Sequence, residues 1–212
     1  MRYILALFLF GLLSCMVPTT NKRTFANPQA VKLNDSALKW MGVRPLEAIG
    51  LLKQAIKIDT NYSAAYYNLT LNLNLIGNYQ EALKYVTRLV KLQPKNFFYH
   101  SMLGGEYDLI GDSIHALHEY KLSLSLQSKI IEKLDPNDKL YNGQMFMKGN
   151  LLINMGMDKE GQEVIRKIYS STKDTGLMVG MKPYLLLTRK KMLWLLMHQD
   201  SSKRYFNGVN WH

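Results

Sequence analysis

SAAYYNLTLNLNLIGNYQEALKYVTRLVKLQPKN, residues 63–96, and FFYHSMLGGEYDLIGDSIHALHEYKLSLSL, residues 97–126, state one pattern twice. Gly77-Asn78 in the first stands against Gly111-Asp112 in the second, 34 residues on. At the same offset Leu69 meets Leu103, Ala82 meets Ala116, Leu83 meets Leu117 and Leu92 meets Leu126. A period of this length marks a supersecondary unit that buries its apolar face only by stacking on its neighbours. Within the unit Tyr66, Leu69 and Leu73 recur at helical spacing, and Gly77 supplies a turn. Asn78 followed by Glu81 reads as a capped start of a second helix. Ala82 is the small residue where two helices cross, because small side chains let the axes approach while bulky neighbours fill the grooves. Pro94 closes the unit. The expected fold class is all-α, built from antiparallel helix pairs.

Period, glycines and apolar spacing together resemble the tetratricopeptide repeat. In residues 97–126 Leu103, Gly104 and Tyr107 match the first helix of that repeat, and Gly111, Ala116 and Tyr120 match the turn and second helix. Weaker copies flank these two. In residues 29–62 the second helix is clear, from Pro45-Leu46-Glu47-Ala48 through Ile56 and Ile58. Its first helix carries Lys32, Asp35 and Lys39 where the family is apolar, small or aromatic, as suits a terminal repeat whose outer face meets water. Residues 142–175 keep Gly149, Leu152, Gly156, Gly161 and Ile165 in register, with Lys148 at the usual leucine position. The closing proline of the third repeat is due near residue 128, yet Pro136 arrives eight residues later. Leu117, Tyr120, Leu124, Ile131 and Leu134 hold roughly helical spacing throughout, so the second helix is expected to run on by about two turns.

The resemblance implies a solenoid of about four repeats whose first helices line a concave face used to hold peptides or helices. Carried over position by position, that face takes Tyr67, Asn68 and Leu71, then Phe98, Met102 and Leu109, then Phe146, Met147 and Asn150. Some members hold a C-terminal carboxylate with Lys, Arg and Asn. Here only Asn68 matches, and Leu33, Ala37, Phe98 and Met102 stand at the other positions, which argues against such a clamp. From Pro183 the stretch YLLLTRKKMLWLLMHQ reads as a helix without a clean stripe. It can cap the last apolar face, lie in the groove and occlude it, or rest on lipid with Trp194 and its basic neighbours at the interface.

The other informative stretch is the N-terminus. Arg2 precedes an uninterrupted apolar run of eleven residues, Tyr3 to Leu13. A spanning helix needs about 20 residues, so the run fits the apolar region of a signal peptide. It ends in Leu12-Leu13-Ser14-Cys15, which resembles a bacterial lipobox, and Cys15 is the one cysteine in the chain. The small Ser14 lets a peptidase reach the backbone, and the Cys15 thiol takes a diacylglyceryl thioether, after which the new amino group can be acylated, palmitate being a typical chain. Several acyl chains anchor durably where one holds marginally. Met16 in place of aspartate lacks the inner-membrane retention mark of enterobacterial sorting, which leans toward the periplasmic face of the outer membrane. The organisation expected is a signal peptide over 1–14, a lipidated tether over 15–28, and repeats over 29–62, 63–96, 97–136 and 137–175. A C-terminal cap and tail follow over 176–212.

With 27 Lys+Arg against 16 Asp+Glu the chain carries +11. Its densest basic run is Arg189-Lys190-Lys191, with no interleaved aromatic pattern of a nucleic-acid module, so the excess reads as solubilising, with contact to anionic lipid headgroups as the alternative. His115 and His118 stand three apart on a helix with Glu119 alongside, but no third ligand is evident. No Walker loop, nucleophile elbow, paired-cysteine motif or H-E-x-x-H is present. The expectation is a non-enzymatic, lipid-anchored adaptor that holds a protein or peptide of the cell envelope, without cofactor, nucleic acid or small-molecule substrate. The alternative is a structural envelope lipoprotein whose groove its own C-terminal helix fills.

Overall fold

The computed structural model describes residues 26–198. The signal stretch, Cys15 and most of the tether lie outside the described residues, as do residues 199–212. Among the described residues there are ten α-helices and one 3-10 turn, with no strand. One compact unit holds α1 (Pro28–Trp40), α2 (Pro45–Ile58), α3 (Ser63–Leu75), α4 (Tyr79–Leu92) and α5 (Phe97–Leu109). A second holds α6 (Ser113–Ile131), α7 (Lys139–Asn154), α8 (Asp158–Ser171), α9 (Thr175–Met181), the 3-10 turn Lys182–Leu186 and α10 (Arg189–Met197). The division falls between Gly111 and Asp112, so the third expected repeat is shared: α5 belongs to the first unit and α6 to the second.

In the first unit each helix packs on the next, and α1 also meets α3. That is the order of stacked antiparallel pairs. Ala48 and Ala82, 34 residues apart, are fully buried, and Leu52, Leu69 and Leu73 belong to the same core cluster. Lys32, Asp35 and Lys39 of α1 are exposed, while Ala30, Asn34 and Ala37 form its buried face. The turn between paired helices needs a left-handed residue. Gly77 has φ 76°, its N–H donates to Asn74 O (3.1 Å) and the Asn78 N–H donates back to Leu73 O (2.9 Å). This pairing closes a helix on glycine and satisfies its last carbonyls. Asn78 then caps α4, its Oδ1 accepting from the Glu81 N–H (3.4 Å) while its Nδ2 donates to Glu81 Oε2 (2.8 Å).

In the second unit α6 packs on α7 and α7 on α8. The α7–α8 crossing uses two facing glycines. A Cβ on Gly161 would lie 2.5 Å from Gly149 O, and one on Gly149 would lie 2.9 Å from Gly161 O. The helix expected to gain two turns gains less: α6 has 19 residues against 14 in α2, α4 and α8. Proline disfavours helical backbone at the residue before it, here Asp135. The chain accordingly leaves the helix after Ile131 through turns closed by Leu134 N–H to Ile131 O (3.0 Å), and Asp135 Oδ1 then accepts from the Asn137 N–H (2.7 Å). The stretch from Pro183, read as one helix, is broken in two. The 3-10 turn ends in extended backbone at Leu187 (ψ 134°), and Thr188 restarts the chain as the cap of α10, accepting from the Lys191 N–H (3.2 Å).

Candidate functional site

The residues expected to line the inner wall stand on α3, α5 and α7, and they divide between the units. In the first unit the Tyr67 and Phe98 rings meet at 5.9 Å with a tilt of 50°, and Phe98 meets Tyr99 at 6.1 Å. The result is a three-ring row joining α3 to α5. Tyr67 and Tyr99 are half-buried, and burial raises the pKa of both phenols. Leu71 and Met102 are buried and Leu109 is half-buried.

Asn68 is also buried, and its Nδ2 donates to Oδ1 of Asn34 at 2.8 Å, a bond between α1 and α3 across one repeat period. Within α3, Asn72 Nδ2 donates to Asn68 O at 2.8 Å. Asn74 Nδ2 then donates to Glu106 Oε1 at 2.6 Å, linking α3 to α5. A set of polar links therefore runs along the first helices α1, α3 and α5, within a layer that also buries Thr70 and His100 among its apolar side chains. Glu106 is 2 % exposed and its Oε2 has no hydrogen-bond partner. Burial pushes its carboxyl up to about 7, while the bond from Asn74 acts in the opposite sense. Sequence reasoning does not single out Asn34, Asn74 or Glu106. The signal that could have found the first is an asparagine repeating at Asn34 and Asn68, 34 apart, on helices read for their apolar positions.

In the second unit Phe146 stands edge-on to Tyr184 of the 3-10 turn, with centroids 5.1 Å apart and planes at 88°. Met147 is buried, and Asn150 is half-buried with its Oδ1 unpartnered. The C-terminal segment is stitched to α8 by Gln162 Nε2 donating to Leu187 O (2.9 Å) and by Arg189 N–H donating to Asp158 Oδ1 (2.8 Å). Its Met181, Leu187 and Leu195 are fully buried. Of the nine expected wall residues, a direct ring contact joins Tyr67 and Phe98. Five of them (Asn68, Leu71, Phe98, Met102 and Met147) are buried, so little of their surface is open.

Asp112 caps α6, its Oδ1 accepting from the His115 N–H (3.1 Å), and its Oδ2 lies 2.6 Å from His115 Nδ1, so that imidazole is taken up at the helix start. Among the described residues no three His, Cys, Asp or Glu side chains gather as a metal site requires. Nor is any described helix long and apolar enough to cross a membrane.

Solved structures of helical repeats superpose on the chain. TPR-like repeats of nearly identical sequence, assigned to a kinesin light chain of Podosopora anserina, align with a TM-score of 0.54 at 14% identity, over 83% of this chain and 90% of that one. A single-substitution variant of those repeats aligns at 0.55 and 14% identity, over 82% and 93%. MamA is 21% identical over 84% of both chains, with a TM-score of 0.46 that adds no weight. No protein-family model matches the chain, and no curated protein matches it. At such identities the likeness speaks for architecture alone, and the architecture of the described residues is that of tetratricopeptide-like helical repeats.

Proposed function

We propose that the chain is a lipid-anchored, non-catalytic adaptor of the cell envelope, carrying its acyl chains on Cys15 at the periplasmic face of the outer membrane. In each unit the first helices would take an extended or helical segment of an envelope protein, at Tyr67, Asn68, Leu71, Phe98, Met102 and Leu109 in the first and at Phe146, Met147 and Asn150 in the second. The observation that carries the protein-binding reading is the Tyr67–Phe98–Tyr99 ring row, which spans two successive first helices and keeps its two tyrosines half-open. Amphipathic rings with few rotatable bonds are the side chains that anchor partners at low entropic cost. The test places a photo-crosslinking amino acid at Tyr67 and, as a control, at the exposed Lys84 of α4 in cells. An envelope protein captured from Tyr67 and not from Lys84 is expected; equal yields from both sites would sink the proposal. Palmitate labelling of wild type against Cys15→Ser tests the anchor separately, since equal labelling removes it.

One observation favours the second reading, a structural lipoprotein without a peptide ligand. Tyr184 already occupies the edge of Phe146, and five of the nine wall positions are closed to solvent. On this reading photo-crosslinking from Phe146 returns Tyr184-containing peptides of the same chain and nothing else.

A further inference from the structure

The most exposed apolar stretch of the first unit lies in the turn between α1 and α2. Leu38 (45 %), Trp40 (37 %), Val43 (66 %) and Leu46 (68 %) are open to solvent within nine residues. The chain reverses there at Gly42, whose φ of 76° is held by Val43 N–H to Trp40 O (3.0 Å) and Arg44 N–H to Trp40 O (2.8 Å). Folding gains nothing from leaving four large apolar groups at one turn in water, and such clusters mark contact with a partner or a membrane. Cations sit among them. Arg44 lies over the Trp40 ring, 4.9 Å from its centroid, and Lys39 is exposed beside it; the one carboxylate in the turn, the exposed Glu47, reaches Arg44 only at 4.0 Å, which leaves the turn a net positive charge. Trp with Arg and Lys is the combination that settles at a bilayer–water interface, the ring among headgroup carbonyls and the cations on lipid phosphate.

We propose that the Trp40–Leu46 turn docks on the surface of an anionic bilayer, fixing the first repeat pair against the membrane that anchors the chain. The docking rests on the anchoring reading given above. Two features of the chain favour lipid over a protein occupant. Cleavage of the signal peptide removes Arg2, and the remaining 26 Lys+Arg against 16 Asp+Glu give a net charge of +10 that complements an anionic leaflet. The twelve Cα–Cα steps from Cys15 to Asn27 can extend at most about 40 Å, and α1 spans about 20 Å, so an anchor at Cys15 confines this turn within reach of the bilayer. Tethering raises the effective concentration of the surface, so a modest apolar patch suffices to hold the pose.

The experiment uses the full chain reconstituted into phosphatidylethanolamine–phosphatidylglycerol vesicles, with Trp194→Phe and Trp211→Phe leaving Trp40 as the reporter. Trp40 emission is expected to shift to the blue and to be quenched by lipids brominated near the headgroup. Val43→Ser with Leu46→Ser removes most of that quenching, and neutral phosphatidylcholine vesicles weaken it. Val43 and Leu46 are largely exposed, so the fold tolerates both changes. Protein that floats with the vesicles while Trp40 stays unquenched overturns the docking and leaves the anchor standing. Protein that does not float overturns the anchor and the docking together. Concentration-dependent dimers abolished by the same serine pair, with no quenching, would assign the turn to self-association instead.

Discussion

The two units solve the same crossing problem with different residues. In the first, α3 and α4 carry Thr70 and Ala82 at the aligned positions, and both are fully buried. In the second, α7 and α8 cross at the aligned positions with Gly149 and Gly161, whose backbones approach so closely that a single Cβ meets a carbonyl oxygen. The first unit keeps its 34-residue period from Ala48 to Ala82; the second places its crossing residue 45 after Ala116, the extra chain being taken up by the longer α6 and the turn at Pro136. A helix pair thus survives irregular spacing provided the crossing residues stay small, and how small they are sets how near the axes come.

The largest effect comes from exchanging the two solutions. Gly161→Val drives side-chain atoms into Gly149 O and the Ile153 backbone N, which lie 2.5 and 3.0 Å from a bare Cβ. Neither acceptor nor donor is on a flexible side chain, so the cost is at least about 3 kcal/mol, with loss of the second unit's unfolding transition in calorimetry. The reverse change in the first unit, Ala82→Gly, costs about 1 kcal/mol, chiefly through helix propensity. Equal costs at the two sites would erase the distinction between them.

Next in size is a pH effect confined to the first unit. Glu106 has its carboxyl raised from 4.5 to about 7 in the folded chain. An acid raised on folding holds its proton more tightly in the native state, so native stability is highest below pH 4.5 and falls as pH climbs through about 7. The stability lost across that range is about 3 kcal/mol at most. Glu106→Gln, which keeps an acceptor for Asn74, is expected to stabilise the chain at pH 8 by up to that amount and to change little at pH 4. Urea unfolding at the two pH values reads the difference; a stability gain independent of pH would mean the carboxyl is not buried as placed.

Much of the fold is legible because the repeat speaks in backbone requirements. Gly77 and Gly111 are read directly as turns, which the structure shows to be left-handed, and Ala82 and Ala116 as crossings, since few residues meet those demands. The site is less legible. Tyr67, Asn68, Leu71, Phe98 and Met102 fall on the expected helices, but sequence position does not tell whether a residue on the inner layer faces solvent or fills space. The Asn34–Asn68 and Asn74–Glu106 bonds link residues 34 and 32 apart, a separation at which a polar residue looks like an exposed one until its partner is seen. The break at Leu187–Thr188 escapes for another reason: apolar residues on both sides of it supply no periodicity that distinguishes one helix from two.

The polar links supply a third, smaller test. Asn68→Ala leaves Asn34 Oδ1 without its buried donor and is expected to cost about 1–3 kcal/mol. Replacing Asn34 and Asn68 together by leucine restores an apolar layer of similar volume and costs less than the single change. A double variant worse than the sum of the singles would mean that the Asn34–Asn68 link holds the α1–α3 spacing and is not merely tolerated there.

The smallest effect concerns helix starts. Asn78 and Met157 occupy aligned cap positions with nearly the same backbone, φ −86° and ψ 61° against φ −86° and ψ 55°. Asn78 accepts from the N–H three residues on and reaches Glu81; Met157 offers no side-chain cap, although Glu160 stands where Glu81 does. The backbone of α8 is already in the geometry an asparagine cap uses, and Met157 is exposed, so its replacement gives up little packing. Met157→Asn should therefore complete the capping box and stabilise the second unit by about 0.5–1 kcal/mol, with Asn78→Ala costing the first unit about as much. A rise in thermal midpoint of a few degrees for the first variant and a matching fall for the second is the expected pair of readings. If Met157→Asn is neutral while Asn78→Ala destabilises, the bond from Arg189 N–H to Asp158 already fixes the start of α8, and the C-terminal segment does in the second unit what a cap does in the first.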